Sequence, residues 1–246
     1  MVYKVGLLCP YRNTVVEREI IRILPFDDFA IHTTRMESKK REDEEARDFN
    51  AVLKGAELME RSAVYEAKLL AASKVDIIVF ADTTVSFYKG VGHDKVIAQN
   101  IEKEAGIPAI TSATAVVEAL RELGVTKVST ATPYVDGIDE RLKTFLEGYG
   151  FSVCKNLNSN MWDAYEEGVL PPKVAYDLAK KANTPEAEGI LISCTNFRTM
   201  EILQSLEDEL GKPVISSNTA TFWSILRSAK YRKPISGYGK LLERGV

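Results

Sequence analysis

A cysteine directly follows a short apolar segment in the second half of the chain. Residues 190–193 read ILIS, Cys194 comes next, and Thr195 and Asn196 follow it. A short apolar run of this kind is typical of a buried strand in a parallel sheet. We expect the thiol to lie beyond that strand, at the start of a helix, where the helix dipole lowers the pKa of a cysteine. Such a thiol can donate a proton, accept one or act as a nucleophile.

Three more apolar segments end on polar or turn-forming residues just before a predicted helix. These turns are Pro10 to Asn13, Asp82 to Thr84, and Pro133 with Tyr134. Ligands of parallel α/β proteins bind beyond the carboxyl ends of the strands, and free amides at helix starts favour an anion there. Neutral donors of this type suit a carboxylate, or the enediolate that forms when a carboxylate becomes a carbanion. The four turns therefore predict a site for a small carboxylate.

Short apolar segments alternate with helical patterns along the chain. The predicted strands cover residues 3–9, 29–34, 76–81, 108–111, 127–132, 151–155, 188–193 and 213–216. The predicted helices cover residues 14–24, 41–73, 91–105, 113–123, 136–149, 172–182, 197–210 and 219–229. Strands that are apolar on both faces and separated by helices indicate an α/β fold with parallel sheets covered by helices.

The two halves of the chain resemble each other. KVGLLCPY at 4–11 parallels KVSTATPY at 127–134, an offset of 127 − 4 = 123, and Asp82 falls opposite Cys194, an offset of 194 − 82 = 112. We therefore predict two pseudosymmetric lobes, each a short parallel sheet flanked by helices, with the site in the cleft between them. The predicted first lobe is 1–112 plus 218–246, and the predicted second lobe is 113–217.

The composition narrows the class of protein. The chain has 246 residues, 45% of them apolar, and a formal net charge of −3, which argues against binding to nucleic acid or to a membrane surface. It lacks an apolar stretch of membrane-spanning length and a signal-peptide pattern, so we expect a cytoplasmic protein. The three cysteines and two histidines are not closely spaced, which argues against a disulfide framework and against a zinc site, and we expect no metal.

Five motifs together resemble the aspartate/glutamate racemase superfamily, in its branch with arylmalonate decarboxylase and maleate cis-trans isomerase. They are ADTTVSFYKG (81–90), IPAITSATAVVEAL (107–120), ATPYVDGIDERL (131–142), ISCTNFRT (192–199) and KPVISSNTATFW (212–223). The resemblance spans nearly the whole chain. It implies two pseudosymmetric lobes, an active site between them, and no cofactor or metal. It is also compatible with a homo-oligomer.

The resemblance also implies roles for individual residues. Members usually hold one cysteine on each lobe, facing opposite sides of the substrate carbon, and arylmalonate decarboxylase keeps the second cysteine alone. Cys194 matches that second cysteine, and Asp82 stands at the position of the first. The remaining substrate-binding positions are matched by Pro10, Asn13, Thr83, Thr84, Tyr134 and Thr195.

Asp82 leaves the reaction open. A protonated carboxyl here would tolerate a malonate-type substrate, whereas a carboxylate could act as a base opposite Cys194. The residue could also simply cap the helix that follows. Our leading hypothesis is a cofactor-independent decarboxylase of a small (aryl)malonate-type dicarboxylate, in which the cysteine protonates an enediolate. The alternatives are a maleate cis-trans isomerase-like enzyme, a racemase or epimerase that uses Asp82 and Cys194 as opposed groups, and a non-catalytic carboxylate-binding protein.

Overall fold

The strands form two separate parallel sheets. A computed structural model of the protein describes residues 2–38 and 48–245. Within these ranges each sheet has four strands, and every strand pairing is parallel. The predicted α/β fold with two similar lobes is therefore confirmed. Across the same ranges, none of the helices is long and apolar enough to cross a membrane.

Both sheets have the same strand order. The first is ordered β2-β1-β3-β4 and the second β6-β5-β7-β8, so β1 and β5 hold equivalent central places. The strands of the first sheet are β1 (Tyr3–Pro10), β2 (Phe29–Met36), β3 (Ile77–Phe80) and β4 (Ala109–Thr111). Those of the second are β5 (Lys127–Thr132), β6 (Ser152–Asn158), β7 (Gly189–Ile192) and β8 (Val214–Ser216). The sequence repeat thus corresponds to a structural repeat.

Helices connect the strands, as parallel pairing requires. The helices up to the end of the first sheet are α1 (Val16–Ile23), α2 (Phe49–Ala72), α3 (Thr83–Phe87), α4 (His93–Ala105) and α5 (Ser112–Glu122). Those that follow are α6 (Asp136–Gly148), α7 (Ala164–Val169), α8 (Pro172–Ala182), α9 (Leu203–Leu210), α10 (Ser217–Ser228) and α11 (Lys240–Glu243). The helix predicted over 41–73 begins at Phe49 in the structure, and its predicted start at 41–47 lies outside the described residues.

The helices that follow the last strand of each sheet pack against each other. Thr111 caps α5 and Ser216 caps α10, each by accepting a hydrogen bond from a backbone amide of the first turn. Thr221 Oγ1 of α10 donates to Ser112 Oγ of α5 over 3.0 Å, and α10 is buried along almost its whole length. This helix pair joins the two halves of the repeat, and α10 also contacts α1 of the first lobe.

The predicted helix over 197–210 is partly wrong, because α9 begins at Leu203. The amides of Thr199 and Met200 donate to Glu19 Oε1 of α1, at 2.8 and 3.1 Å, and the chain between β7 and α9 therefore turns toward the first lobe. The prediction also missed the short helices α3, α7 and α11. The segment after β7 is consequently an irregular loop that reaches across to α1.

Glu19 is the buried acceptor that holds this loop. Besides the two amides, its carboxyl accepts a hydrogen bond from Asn218 Nδ2 of α10 over 2.6 Å. Asn218 Nδ2 in turn donates to the backbone oxygen of Thr195 over 3.1 Å. A single carboxyl therefore connects α1, α10 and the loop that carries Cys194.

We predict that Glu19→Ala lowers the free energy of unfolding by about 3 kcal/mol, because it leaves several buried donors without an acceptor. Glu17→Ala on the same helix is the control, since Glu17 forms a half-exposed ion pair with Arg35 and its loss costs less than about 1 kcal/mol. Urea unfolding followed by circular dichroism measures both. Equal losses for the two variants would contradict the role assigned to Glu19.

Candidate active site

A cleft lies where the strand ends of the two lobes meet. It encloses about 990 Å³, including its opening to solvent. Every residue that the sequence predicted for the site lines it: Pro10, Asn13, Asp82, Thr83, Thr84, Tyr134, Cys194 and Thr195. The structure therefore brings together the four turns that the sequence singled out.

Cys194 is held in the loop after β7 and lines the cleft. Its backbone amide donates to Ser217 Oγ over 3.1 Å, and the amide of Asn196 donates to its Sγ over 3.2 Å. The residue is 7% exposed. The predicted position at a helix N-terminus is wrong, since α9 begins nine residues later, at Leu203. The helix dipole that was expected to lower the thiol's pKa is thus missing from this position.

The pKa of the Cys194 thiol is raised well above its ordinary value, which corrects the expected lowering. Burial is the largest cause, followed by the nearby carboxyl of Glu167, and the amide of Asn196 offsets part of the effect. The charge of Asp82 adds to the rise. Cys194 therefore carries its proton at neutral pH.

Glu167 is a cleft residue that the sequence did not predict. It belongs to α7, and its Oε2 lies 3.4 Å from Cys194 Sγ. Burial, and then the charges of Asp82 and Asp163, raise its pKa to about 8, although the Cys194 hydrogen bond lowers it. Asp163, which caps α7, is a sequence signal for this helix, but the adjacent Glu166 and Glu167 cannot be told apart without knowing which side faces the cleft.

Asp82 both caps a helix and lines the cleft. Its side chain accepts a hydrogen bond from the amide of Val85 over 2.7 Å, as an N-cap of α3 does. Burial raises its pKa to about 6, while the amides of Val85 and Thr84 offset part of the rise. The capping interpretation is therefore correct, and it coexists with a position in the site.

Hydroxyl groups of both lobes line the same cleft. Thr83 is buried, and its Oγ1 has no hydrogen-bond partner among the described residues. The Tyr134 hydroxyl hydrogen-bonds the Thr84 side chain and lies 3.3 Å from Ser193 Oγ. Burial, then the neighbouring Cys194, raises the pKa of Tyr134 well above its usual range, so the phenol keeps its proton. These groups can donate to an anion in the cleft.

Asn13 and Thr195 are engaged with each other across the lobes. Asn13 Nδ2 donates to Thr195 Oγ1, and that hydroxyl donates to the backbone oxygen of Ala81, both over 3.0 Å. Asn13 Oδ1 accepts from the amides of Val15 and Val16 at the start of α1. The polar groups expected to bind substrate at these two residues therefore join the lobes in this structure.

Apolar side chains form the remaining part of the lining. Val52, Ala56 and Met59 come from α2, and Val135 and Ile138 lie at the start of α6. Met161 and Trp162 line the cleft from the loop before α7. An apolar surface of this kind can accommodate a hydrocarbon substituent beside the polar groups.

Arg12 is a further charged residue of the cleft, and the other two cysteines lie in strands. Arg12 lines the cleft, but its guanidinium pairs with Asp163 over 3.0 Å. Cys9 is buried in β1, where burial raises its pKa to about 12, and Cys154 lies in β6. In the part of the chain that the structure describes, His, Cys, Asp and Glu side chains form no group that could hold a metal ion.

The chain is similar in sequence to arylmalonate decarboxylases and maleate isomerases. A family model described as arylmalonate decarboxylase matches residues 52–242. The arylmalonate decarboxylase of Bordetella bronchiseptica is 32% identical over 194 residues, which cover 77% of this chain and 80% of that protein. The maleate isomerase of Nocardia farcinica is 29% identical over 250 residues, which cover 98% of this chain and 96% of that protein.

Solved structures show the same fold. A liganded double mutant of arylmalonate decarboxylase superposes with a TM-score of 0.84 at 26% identity, covering 99% of both chains. A maleate cis-trans isomerase mutant from Nocardia farcinica, with a covalently bound succinylcysteine intermediate, superposes with a TM-score of 0.89 at 24% identity, covering both chains completely.

We predict that Asp82→Asn removes a pH dependence of stability. The Asp82 pKa rises from 3.8 to about 6 on folding, so the stability it contributes is present below pH 3.8 and is lost as the pH rises through 6. Asparagine keeps the helix cap but does not ionise. Relative to wild type, the variant should therefore gain about 2 kcal/mol between pH 4 and pH 7.

Urea unfolding at several pH values measures this difference. Asp208→Asn is the control, because Asp208 is an exposed aspartate on α9. A difference between Asp82→Asn and wild type that does not change with pH would show that Asp82 is not the buried, titrating carboxyl described above.

Proposed function

The chain belongs to the arylmalonate decarboxylase family, and we propose that it removes carbon dioxide from a malonate that carries an apolar substituent. It is an enzyme, a lyase or an isomerase, because its relatives are decarboxylases and isomerases of the aspartate/glutamate racemase-like superfamily. Of decarboxylation and isomerisation, the protonated state of Cys194 favours decarboxylation.

The observation that carries the proposal is the place of the Cys194 thiol, which is buried and lies 3.4 Å from the carboxyl of Glu167. Burial and Glu167 keep its pKa well above the usual range. A thiolate is the nucleophilic form of cysteine, whereas a thiol can deliver a proton. Addition of sulfur to an alkene is therefore disfavoured at this site, and protonation of a carbanion is favoured.

The proposed reaction uses side chains on both lobes. One substrate carboxylate lies against the hydroxyl groups of Thr83, Thr84 and Tyr134. The bond to the other carboxylate breaks and carbon dioxide leaves, so the electron pair stays on the substrate as an enediolate held by these donors. Cys194 transfers its S–H proton to the α-carbon, which gives the monocarboxylate product and a thiolate. No step in this scheme calls for a cofactor or metal.

Two features of the cleft support loss of carbon dioxide. The apolar lining from α2 and α6 solvates a leaving carboxylate poorly, which raises its ground-state energy relative to neutral carbon dioxide. Asn13, a candidate for stabilising that carboxylate, has its amide engaged with Thr195, Val15 and Val16. The same apolar surface can hold an aryl or alkyl substituent.

A racemase or isomerase is the second candidate. Its support is that Asp82 lines the cleft with Cys194, and that the pKa of Asp82, about 6, leaves it largely ionised at neutral pH and able to act as a base. Such an enzyme would remove a proton on one side of the substrate carbon and return one on the other.

We also propose that the protein is located in the cytoplasm and assembles as a homo-oligomer.

We predict that the protein converts 2-methyl-2-phenylmalonate in deuterium oxide into 2-phenylpropionate with one deuterium at the α-carbon. Cys194→Ala should lower turnover at least about 100-fold, because it removes the proton donor. NMR spectroscopy follows the product, and a panel with malonate, maleate, aspartate and glutamate tests the alternatives. Cys154→Ala is the matched control and should keep wild-type activity, since Cys154 lies in β6.

The outcomes separate the candidates. Deuterium exchange or isomerisation without loss of carbon dioxide would replace the decarboxylase with the racemase or isomerase. Ligand-induced thermal stabilisation without conversion of any compound would favour a carboxylate-binding protein. Near-normal decarboxylation by Cys194→Ala would remove the assigned proton donor.

A further inference from the structure

The carboxyl of Glu167 faces the thiol that the proposed reaction uses. Its Oε2 and Cys194 Sγ are 3.4 Å apart, within the range of a hydrogen bond that involves sulfur. Both residues line the cleft. The neighbouring Glu166 belongs to the same helix but is exposed. One of two adjacent glutamates is therefore directed toward the candidate proton donor.

Contacts on both sides fix α7 in this place. Asn196 Nδ2 donates to the backbone oxygen of Ala164, at the first residue of the helix. At the other end, a Cβ on Gly168 would lie 2.7 Å from Asn196 Oδ1 and closer still to Thr14 Oγ1. The backbone at Gly168 thus approaches both lobes at a distance that a larger residue does not allow. The position of Glu167 is determined by this packing.

We propose that Glu167 returns the proton that Cys194 gives to the substrate, and so resets the thiol between turnovers. This inference rests on the proposed decarboxylation, in which Cys194 ends each cycle as a thiolate. Glu167 acts through Cys194: it supplies a proton to the sulfur and does not act on the substrate.

The proton moves from Glu167 to Cys194 and is then replaced from solvent. After the α-carbon has taken the S–H proton, the O–H bond of the Glu167 carboxyl breaks and its proton moves to the thiolate. The products are a thiol and a carboxylate. Water that enters through the opening of the cleft then protonates the carboxylate, so each turnover consumes one proton from solvent. This proton replaces the one incorporated at the α-carbon.

The charged surroundings keep Glu167 in the state that this role needs. The groups that act on it are Cys194 from the loop after β7, Asp82 from the turn after β3, and Asp163. Tyr134 and Arg12 line the same cleft, and Arg12 pairs with Asp163. Burial, Asp82 and Asp163 raise its pKa to about 8, and Cys194 lowers it. At neutral pH the carboxyl is therefore mostly protonated and can donate.

The first test measures the coupling of the two groups without a substrate. The rate of Cys194 alkylation by iodoacetamide is followed against pH in wild type, Glu167→Gln and Glu166→Gln, with peptide mass spectrometry to separate Cys194 from Cys9 and Cys154. Glutamine removes the negative charge that disfavours the thiolate. Glu167→Gln should therefore lower the apparent pKa of Cys194 by about one unit or more, and Glu166→Gln should leave it unchanged.

The second test measures the return of the proton during turnover of 2-methyl-2-phenylmalonate. Glu167→Gln should lower kcat at least about 10-fold at pH 7, while the first turnover of the protonated enzyme stays near the wild-type rate. Wild-type kcat should fall above about pH 8, as Glu167 loses its proton, and this fall should disappear in Glu167→Gln.

The outcomes distinguish this inference from the proposed function. An unchanged Cys194 titration in Glu167→Gln overturns the coupling. A shifted titration with kcat and its pH profile unchanged overturns the return of the proton. Turnover that survives in Cys194→Ala overturns the proposed function itself, and the alkylation result then still reports whether the two groups interact.

Discussion

The hydroxyl of Thr195 joins the two lobes at the point where their equivalent strands end. It donates to the backbone oxygen of Ala81 and accepts from Asn13 Nδ2, both over 3.0 Å. Ala81 directly precedes Asp82, and Thr195 directly follows Cys194. The same hydroxyl therefore fixes how the thiol of the second lobe stands relative to the carboxyl and the donors of the first. If this junction opened, the cleft would lose the arrangement on which its chemistry depends.

Burial raises the pKa values of the acidic groups in the cleft. Asp82, Glu167 and Cys194 are acidic groups that line one small space, and burial is the largest cause of the raised pKa of each. The positive charge of Arg12 is paired with Asp163 and does not stabilise the anionic forms as a free guanidinium would. The Cys194 thiol and the Glu167 carboxyl thus keep their protons near neutral pH, and they lie beside the uncharged donors Thr83 and Tyr134. This is a suitable environment for protonating a carbanion.

The sequence predicts the fold and most of the cleft because both depend on local patterns. Apolar runs identify the strands, and the repeat that sets Asp82 opposite Cys194 matches the equivalent places of β3 and β7 in the two sheets. The resemblance to the racemase superfamily predicts the same arrangement of lobes and the same strand-end residues. These features follow from residues that are close together in the chain.

The features that the sequence did not predict arise from contacts between distant segments. Glu19 accepts hydrogen bonds from the amides of Thr199 and Met200, about 180 residues away, and α9 therefore begins later in the chain than the sequence predicts. For this reason α9 does not begin at Cys194, and its dipole does not lower the pKa of the thiol. Glu167 contacts the thiol because α7 packs between the lobes. The sign of the Cys194 pKa shift therefore depends on tertiary contacts that spacing along the chain does not reveal.

The protonation state of Cys194 tests the central claim most directly. An infrared difference spectrum of wild type minus Cys194→Ala at neutral pH isolates the S–H stretch of this residue from those of Cys9 and Cys154. A positive S–H band is the result that this account predicts. Its absence at neutral pH would mean that Cys194 is a thiolate, which would contradict its role as the proton donor and favour a nucleophilic reaction.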